Sequence, residues 1–198
     1  MDSLSTYVSA LKHVLTYFNV DIRDEKIVLE NMGSVVYEFF LNFLSEEGAI
    51  AASLMLDNTL IKMSDNNIKL IPGTRDTLRK LSRKAKLGLV TNSNSKFVYY
   101  NFRRLDIEQF FYKIMPGDGD STKKTTRCME IISNTGIDPK DTLYIGDLLS
   151  DIQTARDIGC GSCMVYNKYS WLFPNYEKAK SSGADILISD IAELLQLI

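Results

Sequence analysis

Apolar residues recur at helical spacing from the start of the chain. Tyr7, Val8, Leu11, Val14, Leu15 and Phe18 fall three or four apart, which predicts one amphipathic helix over residues 3–18, with Asp2 or Ser3 placed to cap it. The pattern stays helical over 24–63. Val28 and Leu29 precede Gly33, then Val36, Phe39, Phe40 and Phe43 share one face, and Ala51, Leu54, Met55 and Ile61 recur at suitable steps. Residues 60–63 and 68–71, on either side of Ser64-Asp65-Asn66-Asn67, also fit a short hairpin. Helix is the preferred reading, with that polar tetrapeptide as the loop ending the block.

After Pro72-Gly73 the pattern changes to alternation. Helical periodicity is expected over 74–83, 96–105, 126–134, 149–158, 176–181 and from 191. Short apolar, β-prone runs fall between these stretches at 87–91, 111–115, 143–145, 163–166 and 186–188. Strands joined by helical crossovers of this length imply a parallel sheet covered on both faces. The expected organisation is a helical block over 1–66 and a Rossmann-like α/β core over 67–198.

In such a sheet, ligands bind beyond the carboxyl ends of the strands, so the residues just after each apolar run are the candidates for chemistry. Leu143-Tyr144-Ile145 ends in Gly146-Asp147, and Asp151 falls in the first turn of the next helix. Two carboxylates so placed suit a hard cation such as Mg²⁺; Asp147 as a simple helix cap is the competing reading. Thr91-Asn92-Ser93 closes its own strand, where a hydroxyl and backbone N–H groups leading into a helix can hold a phosphate oxygen. Ser93 or Ser95 as a cap is the alternative there. Lys123 or Lys124 stands where a lysine can reach the sheet's carboxyl edge and act as a point charge on phosphate, although adjacent lysines are commonly just solvated surface. Asp118-Gly119-Asp120-Ser121-Thr122, directly after Pro116-Gly117, reads as a solvated acidic turn.

Composition narrows the partners. The 198 residues are 45% hydrophobic and carry a formal charge of −2, with Lys and Arg dispersed, so no electrostatic footprint for nucleic acid is present. No apolar run is long enough to span a membrane, and Met1-Asp2-Ser3 lacks the basic and apolar regions of a signal peptide. Three cysteines do not make a disulfide framework. Cys160-Gly161-Ser162-Cys163 has redox-like spacing, but buried thiols acting as small apolar groups fit it better. Cytoplasmic localisation is the expectation. His13, the single histidine, sits among polar neighbours and receives no role. Tyr166, Tyr169, Trp171 and Phe173 follow a strand tip, where they line a site's rim or pack under the neighbouring helix.

Thr91, the lysine pair and Gly146-Asp147 with Asp151, in this order, resemble the haloacid dehalogenase-like (HAD) hydrolase superfamily, and within it the phosphoglycolate-phosphatase-type members with an inserted helical cap. The resemblance implies a Mg²⁺-dependent phosphatase of a small phosphorylated metabolite working through an aspartyl-phosphate. It assigns phosphate binding to Thr91 and Asn92, charge neutralisation to Lys123 or Lys124, and the metal to Asp147 and Asp151. The proline that usually follows the family's lysine is absent. The block over 1–66 would be the cap. One departure has larger consequences: the family's first motif, an apolar strand ending in Asp-x-Asp-Gly-Thr, should precede the cap and is missing. That strand lies mid-sheet in the family, between those ending here at Thr91 and Gly146. The expectation is therefore a core lacking its central first strand, in a chain that is N-terminally truncated and inactive by itself. An unfilled slot would also favour self-association. The rival is a non-catalytic relative binding a phosphorylated ligand or a protein, and a mutase or dehalogenase of the same superfamily is a third reading.

Overall fold

The computed structural model describes residues 1–20, 36–118, 123–173 and 175–197. In chain order the described helices are α1 (Leu4–Tyr17), α2 (Val36–Leu41), α3 (Glu46–Asn67), α4 (Thr74–Leu81), α5 (Ser95–Arg104), α6 (Lys124–Thr135), α7 (Leu149–Ile158) and α8 (Tyr176–Lys180). The strands are β1 (Gly88–Val90), β2 (Lys113–Met115), β3 (Leu143–Gly146), β4 (Gly161–Val165) and β5 (Ile186–Ile188), and short 3₁₀ turns cover Glu108–Phe110, Pro139–Asp141 and Ile191–Gln196. The expected helical stretch around Val28, Leu29 and Gly33 lies outside the described residues. Two compact units emerge. One comprises Met1–Ile71, Asn92–Glu108 and Pro116–Asp120; the other comprises Pro72–Thr91, Gln109–Met115 and Ser121–Ile198.

In the first unit, α1 buries Ala10, Leu11, Val14 and Leu15, and α3 buries Ala49, Ala52, Leu56 and Leu60. Both sets repeat every three or four residues, so each forms one stripe, and the two helices pack together. The alanines allow close approach, and each fully buried leucine contributes about 2 kcal/mol. Phe39 and Phe40 of α2 add an edge-to-face pair with centroids 5.4 Å apart.

Two local expectations are corrected. Ser64-Asp65-Asn66-Asn67 is the last turn of α3, neither a loop nor a hairpin. Its polar side chains serve the helix: Ser64 Oγ donates to Leu60 O at 2.7 Å and Asn67 Nδ2 to Met63 O at 2.9 Å. Ser64 is fully buried because Asn101 of α5 donates to its hydroxyl at 3.1 Å. At the other end of the block, Ser3 occupies the N-cap of α1 but makes no side-chain cap bond. Asp2 instead forms an antiparallel bridge with Lys69, its N–H donating to Lys69 O at 2.9 Å.

The second unit holds the five described strands, in two separate parallel sheets ordered β1-β2 and β3-β4-β5. One face of β3-β4-β5 packs Leu143, Cys163, Val165, Ile186 and Ile188 against Leu81 of α4 and Leu194. The opposite face sets Met164 against Ile152 of α7 and Ala179 of α8, so the sheet is covered on both sides as the alternating pattern required. Val90 of β1 and Tyr144 of β3 both pack on Cys128, Ile132 and Ile158, which lays the two sheets on the same helical layer.

The ladders show which edges remain open. Gly161 N–H donates to Thr142 O, and β3 pairs with β4 in the register Leu143 with Gly161. Backbone groups alternate sides along a strand, so Tyr144 and Gly146 face β4, whereas Leu143 and Ile145 face away. Thr91 N–H donates to Met115 O, with Gly88 opposite Lys113. Leu89 and Thr91 therefore face β2, and Gly88 and Val90 face away. Among the described residues no strand pairs with either of these outward edges.

Candidate active site

The carboxyl end of β3 gathers the charged groups. Gly146 is required there by space: a Cβ would overlap the Asp151 carboxylate folded back against it. Asp151 is 5% exposed and both its oxygens are engaged. Oδ1 accepts Lys124 Nζ at 2.8 Å and Tyr144 OH at 3.3 Å. Oδ2 accepts Leu148 N–H at 3.2 Å and Asp147 N–H at 3.3 Å, which caps α7 from its third position. The cap that was the competing reading for Asp147 is therefore made by Asp151.

Asp147 is turned elsewhere. Its Oδ2 accepts Trp171 N–H at 2.9 Å, and its Oδ1 receives no hydrogen bond from any other described residue. Burial pushes its carboxyl above the ordinary range and the Asp151 charge adds to this, while the Trp171 N–H and Lys124 pull it back. A half-buried carboxylate with one unoccupied oxygen is the kind of group that a hard cation stabilises. No cluster of three metal-ligating side chains occurs among the described residues, and Mg²⁺ commonly takes only one or two carboxylates, with water and substrate phosphate filling the rest. Asp147 Oδ1 is a donor of the type that cation accepts, while both Asp151 oxygens already hold partners.

Geometry also separates the two lysines. Lys124 heads α6 and its side chain, 18% exposed, pairs with Asp151. Lys123 is the exposed N-cap residue of the same helix. Thr91 follows β1 in the same unit, its backbone tied to Met115. Asn92 belongs to the other unit, where its backbone lies so close to Gly117 that a Cβ at 117 would meet Asn92 O at 2.7 Å. Lys124, Asp147 and Asp151 are thus brought together. Asp118 of the acidic turn accepts Ser95 N–H at 2.6 Å; residues 119–122 lie outside the described set.

Sequence inspection passed over Tyr144 and read Trp171 only as a rim or packing residue. Tyr144 stands two positions before Gly146, on the same face of β3, and burial with the Asp151 charge drives its phenol upward. That alternation was visible. Trp171 contributes through its backbone, which leaves no mark in side-chain pattern. Cys128 and Cys163 are buried and Cys160 is partly buried; burial lifts the Cys128 and Cys163 thiols to about 11 and raises Cys160, which suits packing and not redox chemistry. Tyr166 packs on Phe173 and Tyr176, with ring centroids 6.0 and 5.3 Å away.

In a parallel α/β fold covered on both faces, Asp147 follows β3 directly and Lys124 and Asp151 stand in the first turns of α6 and α7, at the carboxyl edge where such sheets bind ligands. A family model described as haloacid dehalogenase-like hydrolase matches residues 1–165, and the chain belongs to that family. It is 31% identical over 155 residues to phosphoglycolate phosphatases of Shigella boydii serotype 4 (strain Sb227) and Escherichia coli (strain K12), covering 76% of this chain and 60% of each relative. The chain thus spans about 60% of the length of these curated relatives. Among solved structures, a predicted phosphoglycolate phosphatase from Haemophilus somnus 129pt superposes with a TM-score of 0.83 at 20% identity, covering 98% of this chain and 91% of that one. A haloacid dehalogenase-like hydrolase from Streptococcus pneumoniae gives a TM-score of 0.80 at 20% identity, with 98% and 90% covered. These neighbours establish the fold. No described helix is long and apolar enough to cross a membrane.

Proposed function

We propose that this chain carries most of the active site of a Mg²⁺-dependent phosphatase acting on a small phosphorylated metabolite, with a phosphorylated two-carbon acid such as phosphoglycolate the first substrate to try. The supporting observation is the Lys124–Asp151 ion pair set beside Asp147, whose Oδ1 is left unbonded by the described residues at the carboxyl end of β3. Asp147 would hold the cation through that oxygen. Asp151 orients Lys124, whose ammonium offsets charge on the transferring phosphoryl group. Thr91, which follows β1, would bind the phosphate. The cation, when bound, would neutralise phosphate charge.

The aspartate that takes the phosphoryl group in this family has no counterpart on a described strand. The open edges of β1 and β3 are where a strand bearing it fits, and without such a strand little turnover is expected. The test compares hydrolysis of p-nitrophenyl phosphate and phosphoglycolate by residues 1–198 and by a protein extended with an apolar strand ending in Asp-x-Asp-Gly-Thr. Mg²⁺-dependent turnover is expected only from the extended protein, and about 100-fold less from its Asp147→Asn variant. Equal rates for the extended protein and that variant would refute the role given to Asp147.

A further inference from the structure

The loop after β4 holds a buried polar group with no part in the site as described so far. Ser170 is 3% exposed. Its hydroxyl donates to Val165 O at 3.0 Å and accepts Asn167 N–H at 2.9 Å. Asn167 accepts Tyr169 N–H through Oδ1 at 2.9 Å and donates from Nδ2 to Ser189 O, beyond β5, at 2.7 Å. Ser170 N–H closes the turn on Asn167 O at 3.0 Å. The loop is thereby tied to the ends of two strands, and its next amide, Trp171 N–H, is aimed at Asp147 Oδ2.

An aspartate with neither oxygen held can present either one, at any angle its side-chain torsions permit. A fixed amide on Oδ2 removes that freedom and turns Oδ1 in a set direction. The donor is an uncharged backbone group, so the carboxylate keeps its charge for a ligand.

We propose that Ser170 is a positioning residue for Asp147: by locking the turn over 166–171 it aims Trp171 N–H at Oδ2 and presents Oδ1 as the cation-coordinating atom. The proposal rests on Asp147 being the cation ligand, and the experiment separates the two ideas. Trp171 is the single tryptophan of the chain, so terbium(III), an oxygen-seeking substitute for a hard cation, gives tryptophan-sensitised emission when bound beside it. Titration of the unaltered protein yields an apparent affinity, and Asp147→Asn abolishes it. Ser170→Ala weakens it about 10-fold, and so does Asn167→Ala, which loosens the turn from its other side. Asn175→Ala, which removes only the cap of α8 at Lys178 N–H, leaves the affinity unchanged. Should Ser170→Ala fail to fold, Asn167→Ala decides alone. Unchanged affinity in the turn variants, with loss in Asp147→Asn, would overturn the positioning role by itself. Equal weakening by Asn175→Ala would overturn it too, as general loosening. Full affinity in Asp147→Asn, or no emission from the unaltered protein, would overturn the cation site.

Discussion

Lys123 and Lys124 are chemically identical neighbours, and burial alone separates them. The Lys124 and Asp151 side chains are 18% and 8% exposed, so removing the ammonium leaves a nearly buried carboxylate supported only by a phenol and two long amide contacts. Breaking a buried pair from one side costs about 3 kcal/mol, whereas an exposed N-cap lysine is worth less than about 0.5 kcal/mol. Urea denaturation should therefore show a large loss for Lys124→Met and almost none for Lys123→Ala. Comparable losses would mean that the pair is solvated and the assignment to Lys124 wrong. Sequence could not choose between them because adjacent residues share one motif position. The choice depends on which of them lies on the inward side of the first turn of α6. Asp151 was legible as an acid in the first turn of α7, but its capping of that turn depends on the space left by Gly146, a contact that spacing does not announce.

At the scale of elements, the alternation of helices and strands after Pro72 was readable because each run has one dominant period. The end of α3 was misread because Ser64 and the two asparagines look like a turn until Asn101 supplies a buried partner. The same helix carries a second feature invisible to periodicity. Asp57, half-buried on α3, is pushed up from 3.8 to about 6, first by burial and then by the Asp118 charge, with Lys96 opposing. Burial raises the phenol of Tyr7 on α1, and the Asp57 charge adds to it. All four residues lie in the first unit. Because the folded carboxyl holds its proton more tightly than the unfolded one, stability from this group is greatest below about pH 4, declines as pH rises towards about 6, and stays reduced above that. The nominal cost of the shift is about 3 kcal/mol, and partial exposure cuts it to about 1 kcal/mol. Asp57→Asn should accordingly raise the melting temperature by about 3 °C at pH 7.5 and leave it unchanged near pH 4. A gain of the same size at both pH values would show that charge is not the cause.

For the molecule as a whole, the expected gap in the sheet corresponds to the division into β1-β2 and β3-β4-β5 over a shared helical layer. Its inner edges offer the backbone groups of Gly88 and Val90 on one side and of Leu143 and Ile145 on the other. Open edges of this kind are templates for added strands. Residues 1–198 alone should therefore self-associate as concentration rises, with the average mass in sedimentation equilibrium climbing above that of one chain. Proline scanning can locate the contact because alternate residues of β3 face opposite ways. Ile145 N–H points to the open edge, so Ile145→Pro removes a donor that β4 does not use; the protein should stay folded by circular dichroism and lose its association. Tyr144 N–H faces Gly161 of β4 in the observed register, so Tyr144→Pro should break the ladder and unfold the second unit. Association undiminished by Ile145→Pro would place the contact elsewhere, and a single-chain mass at every concentration would show that β1 and β3 satisfy their inner edges without a partner.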